Sequence, residues 1–186
     1  MNLPNALTLI RIFFVPLLVA ALVQKDEYVA LGIFLVAGAT DLLDGYLARR
    51  LGQVTTVGTL LDPIADKLLV SAALISLVQV QALPGWIAIL VIGREFAVSG
   101  LRSIASAEGY VIKANDLGKL KLVTQVLAIS VMMISLRRPE WRTAAMGFMW
   151  AVVFFSILSA IVYFRKFWSE VDERVKKRKW AAATRA

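Results

Sequence analysis

Residues 41–67 read DLLDGYLARRLGQVTTVGTLLDPIADK and set Asp41, Asp44, Asp62 and Asp66 at what read as the facing ends of two hydrophobic helices. The rest of the chain makes that placement unusual. Of its 186 residues 59% are hydrophobic and 18% charged, and the mean hydropathy is +0.73. A soluble domain of this length needs a polar surface and rarely reaches such values. The composition therefore predicts an all-α integral membrane protein with one domain's worth of length, and the aspartates become the feature to explain.

Two absences narrow the chemistry. There is no cysteine, so redox state carries no information. There is also no histidine, which removes the commonest general base and the usual ligands of zinc and copper. Catalysis would have to use carboxylates, Lys, Arg, Tyr, Ser or Thr, and a bound metal would have to be hard and oxygen-seeking. The net charge of +8 suits an anionic lipid surface far better than nucleic acid in a chain this apolar.

Apolar runs cover residues 3–23, 28–47, 59–80, 86–106, 120–136 and 143–164. A span needs about 20 mostly apolar residues, so the pattern predicts six transmembrane helices. The breaks are QKDE at 24–27, QVQALPG at 79–85, a polar stretch around 107–119 and RRPEW at 137–141, where Pro84-Gly85 and Pro139 act as punctuation. The first run lacks a basic segment before it and is expected to stay as a span rather than be cleaved. Arg49, Arg50, Arg102, Lys113, Lys119, Lys121 and a basic tail fall on one side; Lys25, Arg137, Arg138 and Arg142 fall on the other. The first side is then cytoplasmic, with both termini inside, which points to the cytoplasmic (inner) membrane. Residues 1–166 form the transmembrane domain, and 167–186 a basic cytoplasmic tail that either lies on anionic headgroups or is solvated.

Asp41 and Asp44, three apart, share a helix face in the last turns of the second span. Asp62 and Asp66, four apart, share one in the first turns of the third. A short connection makes these helices antiparallel neighbours, so an acidic site is expected between helices 2 and 3 at the cytoplasmic side. Four clustered carboxylates repel one another and pay for desolvation, and Arg49 offsets one charge. Two divalent cations, Mg²⁺ or Mn²⁺, would neutralise the cluster and clamp a phosphoryl group. Gly45, Ala48 and Gly58 either leave room for a bulky charged ligand or let the helices pack closely.

The spacing Asp41-x2-Asp44-Gly45-x2-Ala48-Arg49-x8-Gly58-x3-Asp62-x3-Asp66 resembles the signature of the CDP-alcohol phosphatidyltransferases, with every fixed position present. The flanks LPNALTLIRIFFVP (3–16), IGREFAVSGLR (92–102) and LGKLKLVTQ (117–125) are similar to the branch of that family that joins CDP-diacylglycerol to sn-glycerol 3-phosphate and releases CMP. The resemblance implies that Asp41, Asp44, Asp62 and Asp66 ligate two metal ions, with Asp66 doubling as general base. It implies that Asn5, Thr8, Gly45, Ala48, Thr55 and Gly58 line the CDP-lipid site and that the chain is a homodimer. Arg49 is expected on the diphosphate, which its guanidinium matches; the alternative is an interfacial Arg that snorkels.

The acceptor's phosphate needs its own anchor. Arg94 sits inside an apolar span, where an arginine is costly without a partner or ligand. Glu95 and Arg102, seven apart, share a face and are candidates to pair. Lys113, Lys119 and Lys121 follow at the cytoplasmic rim and either complete a phosphate cradle with Arg94 and Arg102 or reflect the inside bias of basic residues. Arg11 is a further cation with no assigned place. Two other readings stay open: the same transfer to inositol phosphate, serine or phosphatidylglycerol, and a divalent-cation transporter whose acidic residues line a pathway.

Overall fold

A computed structural model describes the backbone over residues 3–51, 56–108 and 116–183, and the side chains over 9–40, 64–65, 67–108 and 120–173. The described residues form six α-helices and no strand: α1 Leu3–Val23, α2 Glu27–Leu51, α3 Thr56–Gln79, α4 Gly85–Ala107, α5 Asp116–Arg137 and α6 Arg142–Ala183. A 3₁₀ turn at Pro139–Trp141 joins the last two. Each expected span has its helix, with ends shifted by a few residues. The exception is α6, which continues without a break from the apolar run through the basic tail.

Two of the turns are closed by left-handed residues that are not glycine. Lys25 has φ 63° and Gln81 φ 59°. After α1, the Lys25 amide donates to the Leu22 carbonyl (3.1 Å) and the Asp26 amide to Ala21 (2.9 Å). After α3, Gln81 donates to Val78 (3.0 Å) and Ala82 to Leu77 (2.8 Å). This paired pattern satisfies helix-end carbonyls and reverses the chain tightly. It sends α2 back along α1 and α4 back along α3. α1 packs on α2 and α3, α5 on α2 and α6, and α4 on α3 and α6.

Among the described residues, a cluster of buried apolar side chains draws on all six helices of this up-and-down bundle. It takes Leu18 and Leu22 from α1, Phe34 and Ala37 from α2, Leu74 and Leu77 from α3, Ile87 and Val91 from α4, Ile129 and Met133 from α5, and Met149 and Val152 from α6. These belong to the last part of α1, α3 and α5 and the first part of α2, α4 and α6. Alanines at 30, 37, 73, 88, 128 and 145 are interleaved with them, and small residues let helices approach where no water drives them together.

The outer surface is apolar as well. Phe13, Ile89 and Phe154 are 66%, 74% and 62% exposed, which suits lipid rather than water. The rings of Trp86 and Trp150 meet at 5.4 Å, tilted by 54°, and Trp168 is exposed farther along α6. Eighteen helical residues separate Trp150 from Trp168, a rise of about 27 Å, close to the roughly 30 Å of a bilayer core flanked by aromatic belts. Leu120–Arg137 and Pro139–Glu173 are each long and apolar enough to cross a membrane. Among the described residues the apolar stretches Leu9–Val23, Glu27–Thr40 and Lys67–Gln79 are shorter; α4 is interrupted by Arg94, Glu95 and Arg102.

Candidate active site

Polar side chains follow the apolar cluster along three helices. On α4 they are Arg94 and Glu95, both partly buried; on α5 Gln125 and Lys121, and on α6 Ser156 and Ser159, all buried. On α1, Arg11 is fully buried.

Arg94 is tied on three sides. Its Nε donates to the Ser156 carbonyl oxygen at 3.2 Å, its Nη1 to Glu95 Oε2 at 3.0 Å and its Nη2 to Ser159 Oγ at 2.6 Å. Lys121 Nζ, arriving from α5, donates to the same Glu95 Oε2. The Arg94 and Lys121 side chains are 9% and 5% exposed, and Glu95 is 31% exposed. One carboxylate oxygen thus serves two nearly buried cations, the condition under which such charges are tolerated away from water.

Arg102 lies two turns farther along α4. Its Nη2 donates to the Tyr163 hydroxyl, and its guanidinium carbon sits 4.8 Å from the centre of the Tyr163 ring, within cation–π range. Tyr163 is 2% exposed, whereas Arg102 is exposed. Arg94 meets Ser156 and Ser159 while Arg102 meets Tyr163, so α4 and α6 run parallel here. The three α6 residues fall at i, i+3 and i+7, one helix face.

The expected pairing of Glu95 with Arg102 does not form. Seven residues bring two side chains to one face but leave a rise of about 10.5 Å between them, too far for a glutamate to bridge when Lys121 is offered by the neighbouring helix. Ser156, Ser159 and Tyr163 were not singled out by the sequence. Their helical spacing is a signal, but serine and tyrosine within an apolar span are ordinary packing residues. Arg94 and Arg102 lie on α4 and Lys121 on α5; Arg94 and Lys121 meet at Glu95, and Arg102 meets Tyr163 instead. Lys113 lies outside the described residues, and Lys119 falls on the first turn of α5 with its side chain outside them.

The acidic motif falls on the end of one helix and the start of the next. Asp41, Asp44, Gly45, Ala48 and Arg49 lie on the last turns of α2, and Gly58, Asp62 and Asp66 on the first three turns of α3. The two helices are in contact and are linked through residues 52–55. Helical backbone thus gives each aspartate pair the spacing of a shared face. Asn5 and Thr8 are on the first turns of α1, which packs on both helices. The side chains of all these residues, and Thr55 entirely, lie outside the described residues. Among the described side chains no group of three or more His, Cys, Asp or Glu forms a metal cluster. The donor set borne by α2 and α3, carboxylate oxygens alone, fits a hard divalent ion.

The sequence matches the model of a protein family described as CDP-alcohol phosphatidyltransferase over residues 1–158. It is 40% identical to the Bacillus subtilis (strain 168) protein named CDP-diacylglycerol--glycerol-3-phosphate 3-phosphatidyltransferase, covering 90% of this chain and 95% of that one. It is 38% identical to a Mycobacterium tuberculosis (strain CDC 1551 / Oshkosh) protein named probable phosphatidylglycerophosphate synthase, covering 87% of this chain and 79% of that one. In fold it is similar to the crystal structure of Mycobacterium tuberculosis phosphatidylinositol phosphate synthase in apo form, with a TM-score of 0.71 at 16% identity over 90% of both chains. The same protein in complex with manganese and citrate gives a TM-score of 0.68 at 15% identity, over 90% of this chain and 83% of that one. A signature carried on the last turns of α2 and the first turns of α3, a family model spanning most of the chain and relatives covered over 79% and 95% of their length lead to one conclusion: this chain is an enzyme that belongs to the CDP-alcohol phosphatidyltransferase family.

Proposed function

We propose that the enzyme transfers the phosphatidyl group from CDP-diacylglycerol to sn-glycerol 3-phosphate, giving phosphatidylglycerophosphate and CMP. The observation that carries this reading is the 40% identity, over nearly the whole of both chains, to a Bacillus subtilis protein named for that transfer. The acceptor hydroxyl oxygen attacks the phosphorus on the lipid side of the diphosphate. The bond from that phosphorus to the bridging oxygen breaks, and CMP leaves with the electron pair. Asp66 takes the hydroxyl proton, a task left to a carboxylate in a chain without histidine.

Asp41, Asp44, Asp62 and Asp66 would hold two Mg²⁺ or Mn²⁺ ions. When bound, these supply neutralisation of the diphosphate charge. The fold relative described with manganese and citrate supports a divalent ion. Arg49 binds the diphosphate; Asn5, Thr8, Gly45, Ala48, Thr55 and Gly58 line the CDP-lipid site. Arg94, Arg102, Lys113, Lys119 and Lys121 form the pocket for the acceptor's phosphate. Three of them are supported by the cluster in which Arg94 and Lys121 share Glu95 and Arg102 lies two turns away.

The six helices all span the cytoplasmic membrane with both termini inside, residues 167–186 form a basic tail at the cytoplasmic face, and the working unit is a homodimer. A panel of acceptors tests the reaction: purified enzyme, CDP-diacylglycerol and Mg²⁺, with CMP release measured for each. Glycerol 3-phosphate should be preferred. The fold relative named for phosphatidylinositol phosphate makes inositol phosphate the acceptor to beat. CMP release with inositol phosphate and none with glycerol 3-phosphate would overturn the choice of acceptor and leave the family standing.

A further inference from the structure

The cations of the acceptor pocket are held in two different ways. Arg94 and Lys121 share the negative charge of Glu95, and their side chains are 9% and 5% exposed. Three N–H directions of Arg94 are already committed to Glu95, Ser156 and Ser159. Arg102 is different. It is exposed, and it is held by the Tyr163 hydroxyl and ring, neither of which carries charge. An anionic partner would fix a guanidinium and cancel it; a phenol fixes it and leaves its charge in place. A long side chain gives up rotamer freedom when immobilised, and a buried tyrosine has met that cost before any ligand arrives. Tyr163 is itself 2% exposed, so its ring is a rigid support.

We infer that Arg102 is the principal ligand of the acceptor's phosphate and that Tyr163 is its positioning residue. The inference rests on the acceptor pocket proposed above and deepens it. The four N–H groups of the Arg102 guanidinium that are not donated to Tyr163 are enough for the two-pronged contact that guanidinium makes with phosphate oxygens. The buried pair Arg94–Lys121 then contributes background field rather than direct contact.

The test uses the full-length enzyme and three variants: Arg102→Gln, Tyr163→Phe and the double variant. Two readouts are taken for each: steady-state CMP release with glycerol 3-phosphate varied, and protection from heat by glycerol 3-phosphate without CDP-diacylglycerol. Tyr163→Phe keeps the ring and its packing and removes only the hydroxyl. It should raise KM for glycerol 3-phosphate about threefold to tenfold, in line with one hydrogen bond to a charged group in partly exposed surroundings. It should leave kcat and the KM for CDP-diacylglycerol near wild type. Arg102→Gln should raise the same KM more, and Tyr163→Phe should add nothing once Arg102 is gone. A tyrosine that acted only through packing would keep its effect in the Arg102→Gln background, and that outcome overturns the positioning role. So does a wild-type KM in Tyr163→Phe beside a raised KM in Arg102→Gln. A wild-type KM and undiminished protection in Arg102→Gln would instead remove Arg102 from the acceptor pocket, and this inference with it.

Discussion

Glu95→Gln is the perturbation most directly worked from the polar cluster. The variant keeps shape and removes the single negative charge that Arg94 and Lys121 share. Breaking a buried ion pair from one side costs about 3–5 kcal/mol, because a charge is left buried without compensation. Glu95 is 31% exposed, so the lower figure of about 3 kcal/mol applies. For a chain of this size, 1 kcal/mol corresponds to about 2–4 °C in midpoint, and Glu95→Gln should unfold about 6–12 °C below wild type. Five tryptophans allow the transition to be followed by intrinsic fluorescence in detergent. The second arm is Glu95→Gln with Lys121→Met. Replacing both members of a buried pair by uncharged groups is often close to neutral, so the double variant should recover much of the lost midpoint. A Glu95→Gln midpoint within about 2 °C of wild type, or a double variant less stable than the single one, would refute the view that this carboxylate holds two buried cations in place.

Other consequences are simpler to check. A cysteine placed at Gln53 in this cysteine-free chain should react with membrane-impermeant reagents only from the cytoplasmic side; labelling from outside would invert the topology. Activity should vanish in excess EDTA and return with Mg²⁺ or Mn²⁺, and Asp62→Asn should abolish it while the thermal midpoint stays close to wild type. Asp66→Asn should cost about 10²–10⁴-fold in rate, the usual contribution of a general base. Full rescue by raised Mg²⁺ would make that residue a ligand alone.

The helices were legible because each apolar run is long and bounded by charge or proline. Their ends were less so. Lys25 and Gln81 adopt left-handed conformations that a glycine would have announced, and a lysine or glutamine does not. The end of α6 was set at Phe164 by hydropathy, yet the backbone stays helical through Ala183, since Glu, Lys, Arg and Ala are good helix formers whatever their polarity. The cost of an arginine in an apolar span singled out Arg94, and the structure supplies its partners. What could not be read was the choice of partner. Glu95 lies within reach of several cations along the chain, and only the packing of α5 against α6 and α6 against α4 decides in favour of Lys121. The same packing gives Tyr163 its role, which no local pattern encodes.

The thinning of buried apolar side chains along α4 has a mechanical consequence. Ile87, Ala88 and Val91 near its start are set in a cluster shared with the other five helices, as a jaw is joined at its root. Farther along α4 the buried side chains are Val98 and Ala105, and Arg94–Ser159 and Arg102–Tyr163 tie the helix to α6. Opening motions cost least where apolar contacts are fewest. Amide exchange should therefore be faster around residues 98–106 of α4 than around 86–92, with the first turns acting as the root from which the rest of the helix can yield.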